Sequence, residues 1–349
     1  MKTKVIRMNP QELDMEGIRE AGEILRQGGL VAFPTETVYG LGGNGLDPQA
    51  SAKIYRAKGR PSDNPLIIHI ADMEDLEKIV KEVPESAKKL ASVYWPGPLT
   101  MIFQKSDIVP YETTGGMDTV AVRMPDHPLA QALIRAGGGY VAAPSANTSG
   151  RPSPTMASHV EEDLDGKIDM ILDGGPVGIG LESTIVDFTE EIPTILRPGY
   201  INQEMVRRVI GQVQMDRGLI QADSKVKPKA PGMKYRHYAP KADLTVVEGS
   251  PKAVQEKICA LVEEKIRAGE KVGVIATEES MQAYPEGIVK CIGTRADEES
   301  IARHLFAVLR EFDDCGVTYI YSEAFDTPQM GQAIMNRLMK AAGQKKIQV

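Results

Sequence analysis

The first two-thirds of the chain mix the helical and the strand periods of apolar residues. Ile18, Ala21 and Leu25 recur at spacings of three and four, which predicts a helix that ends at Gly28. Strands are predicted over residues 30–33, 66–70, 99–104, 119–123, 140–143, 170–172, 183–187 and 194–196, and further helices over 74–82, 85–94, 127–136 and 202–210. Because helices separate only some of these strands, the pattern predicts an α/β fold with a twisted, mixed-direction sheet.

Residues 242–349 show a more regular alternation of strand and helix. Strands are predicted over 244–247, 272–276, 288–292 and 317–321, and helices over 251–267, 298–312 and 329–342. This order predicts a small, doubly wound, Rossmann-like α/β domain. We therefore divide the chain into a first domain at 12–217, a basic linker at 218–241 and a C-terminal domain at 242–349.

Composition and charge narrow the class of protein. The 349 residues carry a net charge of −7 with 42% hydrophobic and 26% charged residues, typical of a soluble globular protein of two domains. Such a charge argues against a nucleic-acid binder that uses its whole surface. The three cysteines form no CxxC pair, and no apolar run indicates a signal peptide or a membrane span. We expect a cytoplasmic protein without a disulfide framework, a protein-held metal site or membrane contact.

The loop KGRPSDNPLIIH at residues 58–69 places two cations, Lys58 and Arg60, beside a rigid turn that we expect to be exposed. Asp47-Pro48 predicts the N-cap and first turn of a helix before it, and Gly59 its left-handed end. The loop side chains Lys58, Arg60, Ser62 and Asn64 either bind an anion or, for the cations, complement the helix dipole. The sequence of the loop leaves both interpretations open.

Residues 40–45 spell GxGxxG, but the predicted strand ends well before them and no helix opens among them. We interpret them as a flexible glycine turn rather than a dinucleotide site. A bound triphosphate would then be held by side-chain cations and turn amides. Small polar residues after a predicted strand suit phosphate or ribose oxygens, or else cap their own turns: Ser145, Asn147 and Ser153.

Polar residues at the ends of other predicted strands are further candidates. Thr35 and Thr37 flank Glu36 and, by strand alternation, share a face opposite to it. Arg123 ends a strand and suits the carboxylate of an amino acid, although a surface salt bridge is the alternative. The remaining candidates at strand ends are His69, Thr119, Ser183 and Arg197.

Several motifs in order resemble the YrdC-type threonylcarbamoyl-AMP synthases. They are GLVAFPTETVYGLG at 29–42, KGRP at 58–61, NPL at 64–66, VRMP at 122–125, APSAN at 143–147 and ESTI at 182–185. PGMKYRHYAP at 231–240 resembles the hinge of the long, two-domain branch. The resemblance covers residues 12–240 and implies a strongly twisted sheet with a concave, basic face.

The resemblance implies a reaction of L-threonine, bicarbonate and ATP that yields threonylcarbamoyl-adenylate and pyrophosphate. It assigns to threonine the residues Thr35, Thr37, His69, Arg123 and Ser183. It assigns to ATP the residues Lys58, Arg60, Ser62, Asn64, Thr119, Ser145, Asn147, Ser153, Arg197, Arg236, His237 and Tyr238, with Lys58 and Arg60 also catalytic. Magnesium would arrive with ATP. No general base is identified.

The same resemblance implies a nucleotidyltransferase that hands its product to a tRNA threonylcarbamoyl-transfer complex, without direct readout of tRNA bases. The basic residues of 225–241 are either a solvated linker or a lid that meets phosphates through Lys234, Arg236 and His237 while Tyr235 or Tyr238 covers the site. Two alternatives are an RNA-binding or ribosome-assembly factor, which would need more aromatic residues, and a hydrolase or carbamoyltransferase, which would need a nucleophile or metal cluster.

Overall fold

A computed structural model describes residues 2–216, 237–325 and 327–349. The chain divides into two compact units. Unit 1 consists of Met1–Ser149, Ser153–Gly178 and Glu182–Lys234, and unit 2 of Gly150–Pro152, Ile179–Leu181 and Tyr235–Val349. Most of the predicted linker therefore lies outside the described residues, and its bounds stay a prediction.

Unit 1 is built on an eleven-stranded sheet in the order β1-β8-β2-β3-β7-β4-β6-β5-β9-β10-β11. Its strands are β1 (Lys4–Arg7), β2 (Val31–Phe33), β3 (Gly40–Asn44), β4 (Ile67–His69), β5 (Leu99–Gln104), β6 (Thr119–Arg123), β7 (Val141–Ala142), β8 (Met170–Asp173), β9 (Thr184–Asp187), β10 (Thr194–Arg197) and β11 (Gln214–Met215). The sheet contains both parallel pairs, such as β4 with β6, and antiparallel pairs, such as β5 with β6. The mixed direction predicted for the sheet is confirmed.

Helices cover both faces of this sheet. They are α1 (Met15–Arg26), α2 (Pro48–Lys58), α3 (Met73–Ile79), α4 (Glu85–Tyr94), α5 (Pro128–Ala136), α6 (Ala157–Leu164) and α7 (Gln203–Ile210). Val31 and Phe33 of β2 pack in one apolar cluster with α1 and α5, whereas Ala32 packs in another with α2 and α6. Because successive strand residues point to opposite faces, these two clusters lie on opposite sides of the sheet.

Helix α2 positions the predicted anion loop, and its sequence signals are confirmed. Asp47 accepts a hydrogen bond from the backbone N of Gln49, Pro48 is the first helical residue, and Gly59 ends the helix at φ 61°. The loop therefore leaves the helix in a left-handed conformation that glycine adopts without strain.

The glycines at 40–45 are not a flexible turn, contrary to the prediction. Residues Gly40–Asn44 form the buried strand β3, antiparallel to β2 and β7. A Cβ on Gly42 would lie 2.9 Å from Val141 Cγ1 and 3.0 Å from the Phe33 ring. The glycines therefore permit close packing within the sheet, and the interpretation that they do not form a dinucleotide fingerprint still holds, since no helix opens before Pro48.

Unit 2 contains a five-stranded parallel sheet in the order β14-β13-β15-β12-β16. Its strands are β12 (Asp243–Glu248), β13 (Val272–Ala276), β14 (Ile288–Cys291), β15 (Tyr319–Glu323) and β16 (Lys346–Gln348), and its helices are α8 (Pro251–Arg267), α9 (Glu298–Cys315) and α10 (Gly331–Ala341). The predicted parallel α/β domain is confirmed, with β16 as a strand that the pattern did not indicate.

Candidate functional site

Neighbouring strands of unit 1 bring together, at their ends, several residues that were predicted to bind the substrate threonine. His69 ends β4 and Arg123 ends β6, and the two residues are partners in the parallel register. Thr100, at the start of the antiparallel strand β5, lies opposite Arg123. Ser183 immediately precedes β9, which runs parallel to β5. The ends of these four strands therefore converge on Arg123.

Arg123 is buried, with 4% of its surface exposed, and three contacts fix its guanidinium group. Nε donates to Gly97 O at 3.4 Å and Nη1 to Thr37 Oγ1 at 2.9 Å. Nη2 lies 2.8 Å from Glu36 Oε1 in an ion pair. The surface salt bridge that the sequence left open as an alternative is thus replaced by a buried one.

The placement of Glu36 corrects the strand alternation assumed for residues 35–37. Strand β2 ends at Phe33, so these residues follow a bend rather than an extended strand. Thr35 and Thr37 do come together, with their hydroxyl oxygens 2.9 Å apart. Glu36 is not turned away from them, because its carboxylate contacts the same guanidinium group as Thr37.

A directed chain of hydroxyl groups links Arg123 to the backbone of this bend. Thr35 Oγ1 donates to Val38 O at 2.7 Å, since a carbonyl oxygen only accepts. Thr37 Oγ1 therefore donates to Thr35 Oγ1 and accepts from Arg123 Nη1. Both hydroxyl protons are committed, and Thr35 Oγ1 also accepts from the backbone N of Thr37 at 3.2 Å and of Val38 at 3.3 Å. The group that this pair offers to a ligand is therefore a lone pair of Thr37 Oγ1.

Burial keeps His69 neutral at pH 7. Its ring is 4% exposed, and desolvation, with the nearby charge of Arg123 as a smaller cause, lowers its pKa to about 3. Nδ1 lies 3.2 Å from Ile67 O, and hydrogen bonds to the backbone of Ile67 and Val141 are smaller causes that oppose the lowering of the pKa. His69 is therefore a neutral polar group beside the buried cation and is unsuited to act as a second cation there.

Lys58 lies at the end of α2 with only 2% of its surface exposed. Its Nζ donates to Ser145 O and Asn147 O, each at 2.5 Å, and Asn147 Oδ1 is 3.4 Å away. Ser145 Oγ donates to the same Oδ1 at 2.6 Å. Three of the predicted ATP residues therefore form one cluster. The expectation that Lys58 stands on an exposed turn is wrong, because the loop after β7 covers it.

Arg60 is 9% exposed and stabilises the turn that follows α2. Its Nε donates to Asn64 O at 3.2 Å and its Nη2 to Pro65 O at 3.0 Å. Asn64 is buried, whereas Ser62 is exposed at the tip of the turn. Arg60, like Lys58, was expected on an exposed turn and is instead buried, so both residues contribute to the local structure as well as to any anion site.

A second cation cluster forms where β9 and β10 meet. Arg197 Nε donates to Ser183 O at 3.0 Å and Nη2 to Ser183 Oγ at 3.1 Å. Ser183 Oγ is also 2.7 Å from Thr100 Oγ1. Ser153 Oγ donates to Glu182 Oε1 at 2.5 Å, next to Ser183 in the chain. Arg197, predicted to contact phosphate, therefore shares Ser183 with the predicted threonine site.

The segment around Tyr39 connects the loops that carry these clusters. Its backbone N donates to Pro154 O at 2.9 Å, beside Ser153, and its carbonyl O accepts from Ala146 N at 2.8 Å, between Ser145 and Asn147. The bend that carries the hydroxyl groups of Thr35 and Thr37 is thus hydrogen-bonded to both loops that were predicted to bind ATP.

The remaining predicted ATP residues are Thr119 in unit 1 and Arg236, His237 and Tyr238 in unit 2. Thr119 is half-buried at the opposite end of β6 from Arg123, a distance of about 13 Å for four strand residues. In unit 2, Tyr238 is 5% exposed, adopts φ 64° and stacks on Phe306 with ring centroids 5.0 Å apart. His237 lies beside it, at 5.6 Å between ring centroids. Arg236 and the other lid residues up to that position, 218–235, lie outside the described residues, so the lid stays a prediction.

Three residues with clear contacts at the site were not among the predicted ligands. Glu36 pairs with Arg123, Thr100 contacts Ser183, and Glu182 accepts from Ser153. Glu182 was visible as part of the ESTI motif and Glu36 as the residue between two candidate threonines. Thr100 gave no signal, because a threonine in an apolar strand is common for packing reasons alone.

Two kinds of feature, a metal site and a membrane span, are absent from the part of the chain that the structure describes. Among residues 2–216, 237–325 and 327–349, no group of three or more histidine, cysteine or acidic side chains is placed to hold a metal ion. Over the same part of the chain, no helix combines the length and the apolar character that a transmembrane span requires.

Comparison with known proteins identifies the family. Residues 23–199 match the Sua5, YciO and YrdC family model, described as telomere recombination, and residues 201–343 match the model described as the threonylcarbamoyl-AMP synthase C-terminal domain. The threonylcarbamoyl-AMP synthase of Bacillus subtilis is 52% identical over 95% of this chain and 94% of its own length. The protein of that name from Schizosaccharomyces pombe is 38% identical over 95% of this chain and 90% of its own.

Solved structures agree with this. The crystal structure of P. abyssi Sua5 complexed with L-threonine matches with a TM-score of 0.94 and 48% identity over 99% of this chain and 100% of that one. E. coli YciO matches 56% of this chain and 96% of its own, with a TM-score of 0.52 and 26% identity. The chain therefore belongs to the Sua5, YciO and YrdC family, in its two-domain threonylcarbamoyl-AMP synthase form.

Proposed function

We propose that this chain is a threonylcarbamoyl-AMP synthase, which converts L-threonine, bicarbonate and ATP to threonylcarbamoyl-adenylate, pyrophosphate and water. The product is the activated intermediate for tRNA threonylcarbamoyladenosine formation next to the anticodon. This function is favoured over an RNA-binding factor because the curated relatives that carry the synthase name align with almost the whole chain.

Four of the predicted site residues of unit 1 are buried cations, and they are the observation that supports the proposal most strongly. Their exposed fractions are 2% for Lys58, 9% for Arg60, 4% for Arg123 and 5% for Arg197. Lysine and arginine are almost never this buried without partners, and oxygen atoms of the surrounding loops serve as partners here. A reaction that gathers a triphosphate, bicarbonate and an amino-acid carboxylate requires such a concentration of positive charge.

The chemistry needs positioning and charge stabilisation more than a protein nucleophile. The threonine amine attacks the bicarbonate carbon and water leaves. A carbamate oxygen then attacks the α-phosphorus, and the bond to the bridging oxygen breaks so that pyrophosphate departs with its electron pair. Lys58 and Arg60 would stabilise the phosphoryl charge, and Arg123 would hold the threonine carboxylate. ATP would bring magnesium as part of the substrate.

The enzyme class, the fate of the product and the cellular location follow from this reaction. Transfer of the adenylyl group makes the enzyme a nucleotidyltransferase. The mixed anhydride that it forms hydrolyses readily, which favours direct transfer to the complex that modifies tRNA, in the cytoplasm. A basic lid over residues 218–241 would protect the same intermediate from water.

The proposed function is tested by measuring pyrophosphate release with all three substrates and with each one omitted. We expect release to require threonine and bicarbonate jointly, because the attacking carbamate contains both. Equal turnover of ATP when either co-substrate is left out would identify an ATPase and contradict the synthase.

A further inference from the structure

The pairing of Glu36 with Arg123 has an unusual hydrogen-bond geometry for two buried charges. Their side chains are 14% and 5% exposed, and Glu36 Oε1 lies 2.8 Å from Arg123 Nη2. Among the described residues, neither Glu36 oxygen receives a well-directed donor and Nη2 has no well-directed acceptor, although all three atoms are buried. Buried polar atoms normally have such partners, so the Glu36 oxygens can each accept a further hydrogen bond and Arg123 Nη2 can donate one.

Within the Arg123 guanidinium group, Nη2 is the nitrogen that lacks a well-directed acceptor among the described residues. Nε and Nη1 are anchored by Gly97 O and Thr37 Oγ1, which fixes the plane of the group. A ligand carboxylate can therefore meet Arg123 at Nη2, where Glu36 now lies. Two carboxylates at one guanidinium terminus repel each other unless a positive charge comes with the second.

We propose that Glu36 binds the ammonium group of the substrate threonine, an inference that rests on the proposed function. A zwitterionic amino acid carries the two groups that this pair lacks. Its carboxylate supplies acceptors for Arg123 Nη2, and its ammonium supplies up to three donors to the Glu36 carboxylate. When the substrate binds, Arg123 exchanges Glu36 for the substrate carboxylate, and Glu36 exchanges Arg123 for the substrate ammonium. Neither buried charge is left without an opposite charge.

Neutral neighbours strengthen this role for Glu36. Burial lowers the pKa of His127, which outweighs the opposite effect of Glu36 and Asp126 on it. His69, with its pKa lowered to about 3, is neutral as well. The cation that balances Glu36 is therefore Arg123, and once a substrate carboxylate engages Arg123 the substrate ammonium takes over that balance.

The experiment compares L-threonine with 3-hydroxybutyrate, which is threonine without its amino group, by calorimetric binding to the full-length protein. The selectivity ratio is the Kd of 3-hydroxybutyrate divided by the Kd of threonine. For the wild type we expect a ratio of at least about 10, the loss of one charge-assisted hydrogen bond. In Glu36→Gln, threonine should bind at least about 10-fold more weakly and 3-hydroxybutyrate more tightly, because its carboxylate no longer competes with Glu36.

A structural role for Glu36 would weaken both ligands together and leave the ratio unchanged, which would overturn the inference. Glu323→Gln is the matched control, since Glu323 is 4% exposed and pairs with Arg295 Nη2 at 2.7 Å in unit 2. It should leave the ratio at the wild-type value. If Glu36→Gln does not fold, Glu36→Asp keeps the charge but shortens its reach and should still lower the ratio. A wild type that binds no threonine would contradict the proposed function itself.

Discussion

His69 should make the stability of unit 1 depend on pH, and replacing it should remove that dependence. The folded-state pKa is about 3 and the ordinary value is 6.5. As pH falls below 6.5 the unfolded chain binds a proton that the folded one does not, so the free energy of unfolding falls until about pH 3. At 1.36 kcal/mol per pH unit, lowering the pH from 7 to 5 costs about 2 kcal/mol through this one group.

The assay is urea unfolding of the wild type and His69→Gln at pH 7 and pH 5. The chain has one tryptophan, Trp95, which is 9% exposed in a core cluster of unit 1 and reports unfolding of that unit by fluorescence. Carboxylate titrations occur in both proteins and cancel in the difference. We expect the wild type to lose about 2 kcal/mol more than the variant between the two pH values.

Replacement of the exposed His304 by glutamine serves as the control and should keep the wild-type pH dependence. An identical loss in wild type and His69→Gln would show that His69 is protonated in the folded protein at pH 5. The account of a neutral histidine beside Arg123 would then be wrong.

Three further predictions concern ligand selection and the cations. Lys58→Met should lower pyrophosphate release at least about 10-fold and destabilise unit 1 by about 1–3 kcal/mol, because buried carbonyl oxygens lose their donor. The control is Lys53→Met, which removes a contact from the same helix to Gly28 O and should leave turnover unchanged. Equal turnover in both variants would show that Lys58 is not part of the site. Arg123→Lys should raise the KM for threonine far more than that for ATP, and an equal rise in both would refute its assignment to threonine. 2-Aminobutyrate should fail as a substrate while serine works poorly, since a lost hydroxyl costs more than a lost methyl group; comparable rates for 2-aminobutyrate and threonine would contradict a hydroxyl-binding pocket.

The sequence predicted the elements whose local signals agree with their final environment. Helix α2 is an example, since Asp47, Pro48 and Gly59 each determine a backbone position within a few residues. Strand β6 is another, because alternating residues end at a cation that must find a partner. Both were predicted with the bounds that the structure shows.

Sequence reasoning failed where distant contacts override local preference. Glycines at 40–45 favour a turn locally, yet Phe33 and Val141 require them in a tightly packed strand. Lys58 follows the pattern of an exposed helix end, but the loop at 145–147, almost ninety residues away, buries it. Strand β16 has only three residues, and only its pairing with β12 gives it an extended form.

The candidate site was predicted in its members more than in its connections. From the sequence, one set of residues was assigned to the substrate threonine and another to ATP. The structure joins the two sets through Ser183, which contacts both Thr100 and Arg197. The role of Glu36 was missed because strand alternation was extended beyond Phe33. Where a strand ends by bending, side-chain direction follows the bend, and only the folded backbone reveals it.

The proposed function requires one active site that joins threonine, bicarbonate and ATP. Its most direct test is to supply carbon-13 bicarbonate with threonine and ATP and to analyse the products by mass spectrometry. We expect an adenylate that contains threonine and one labelled carbon, formed in equal amount to pyrophosphate. Release of pyrophosphate with AMP but without the labelled adenylate, or formation of ADP and phosphate instead, would contradict it.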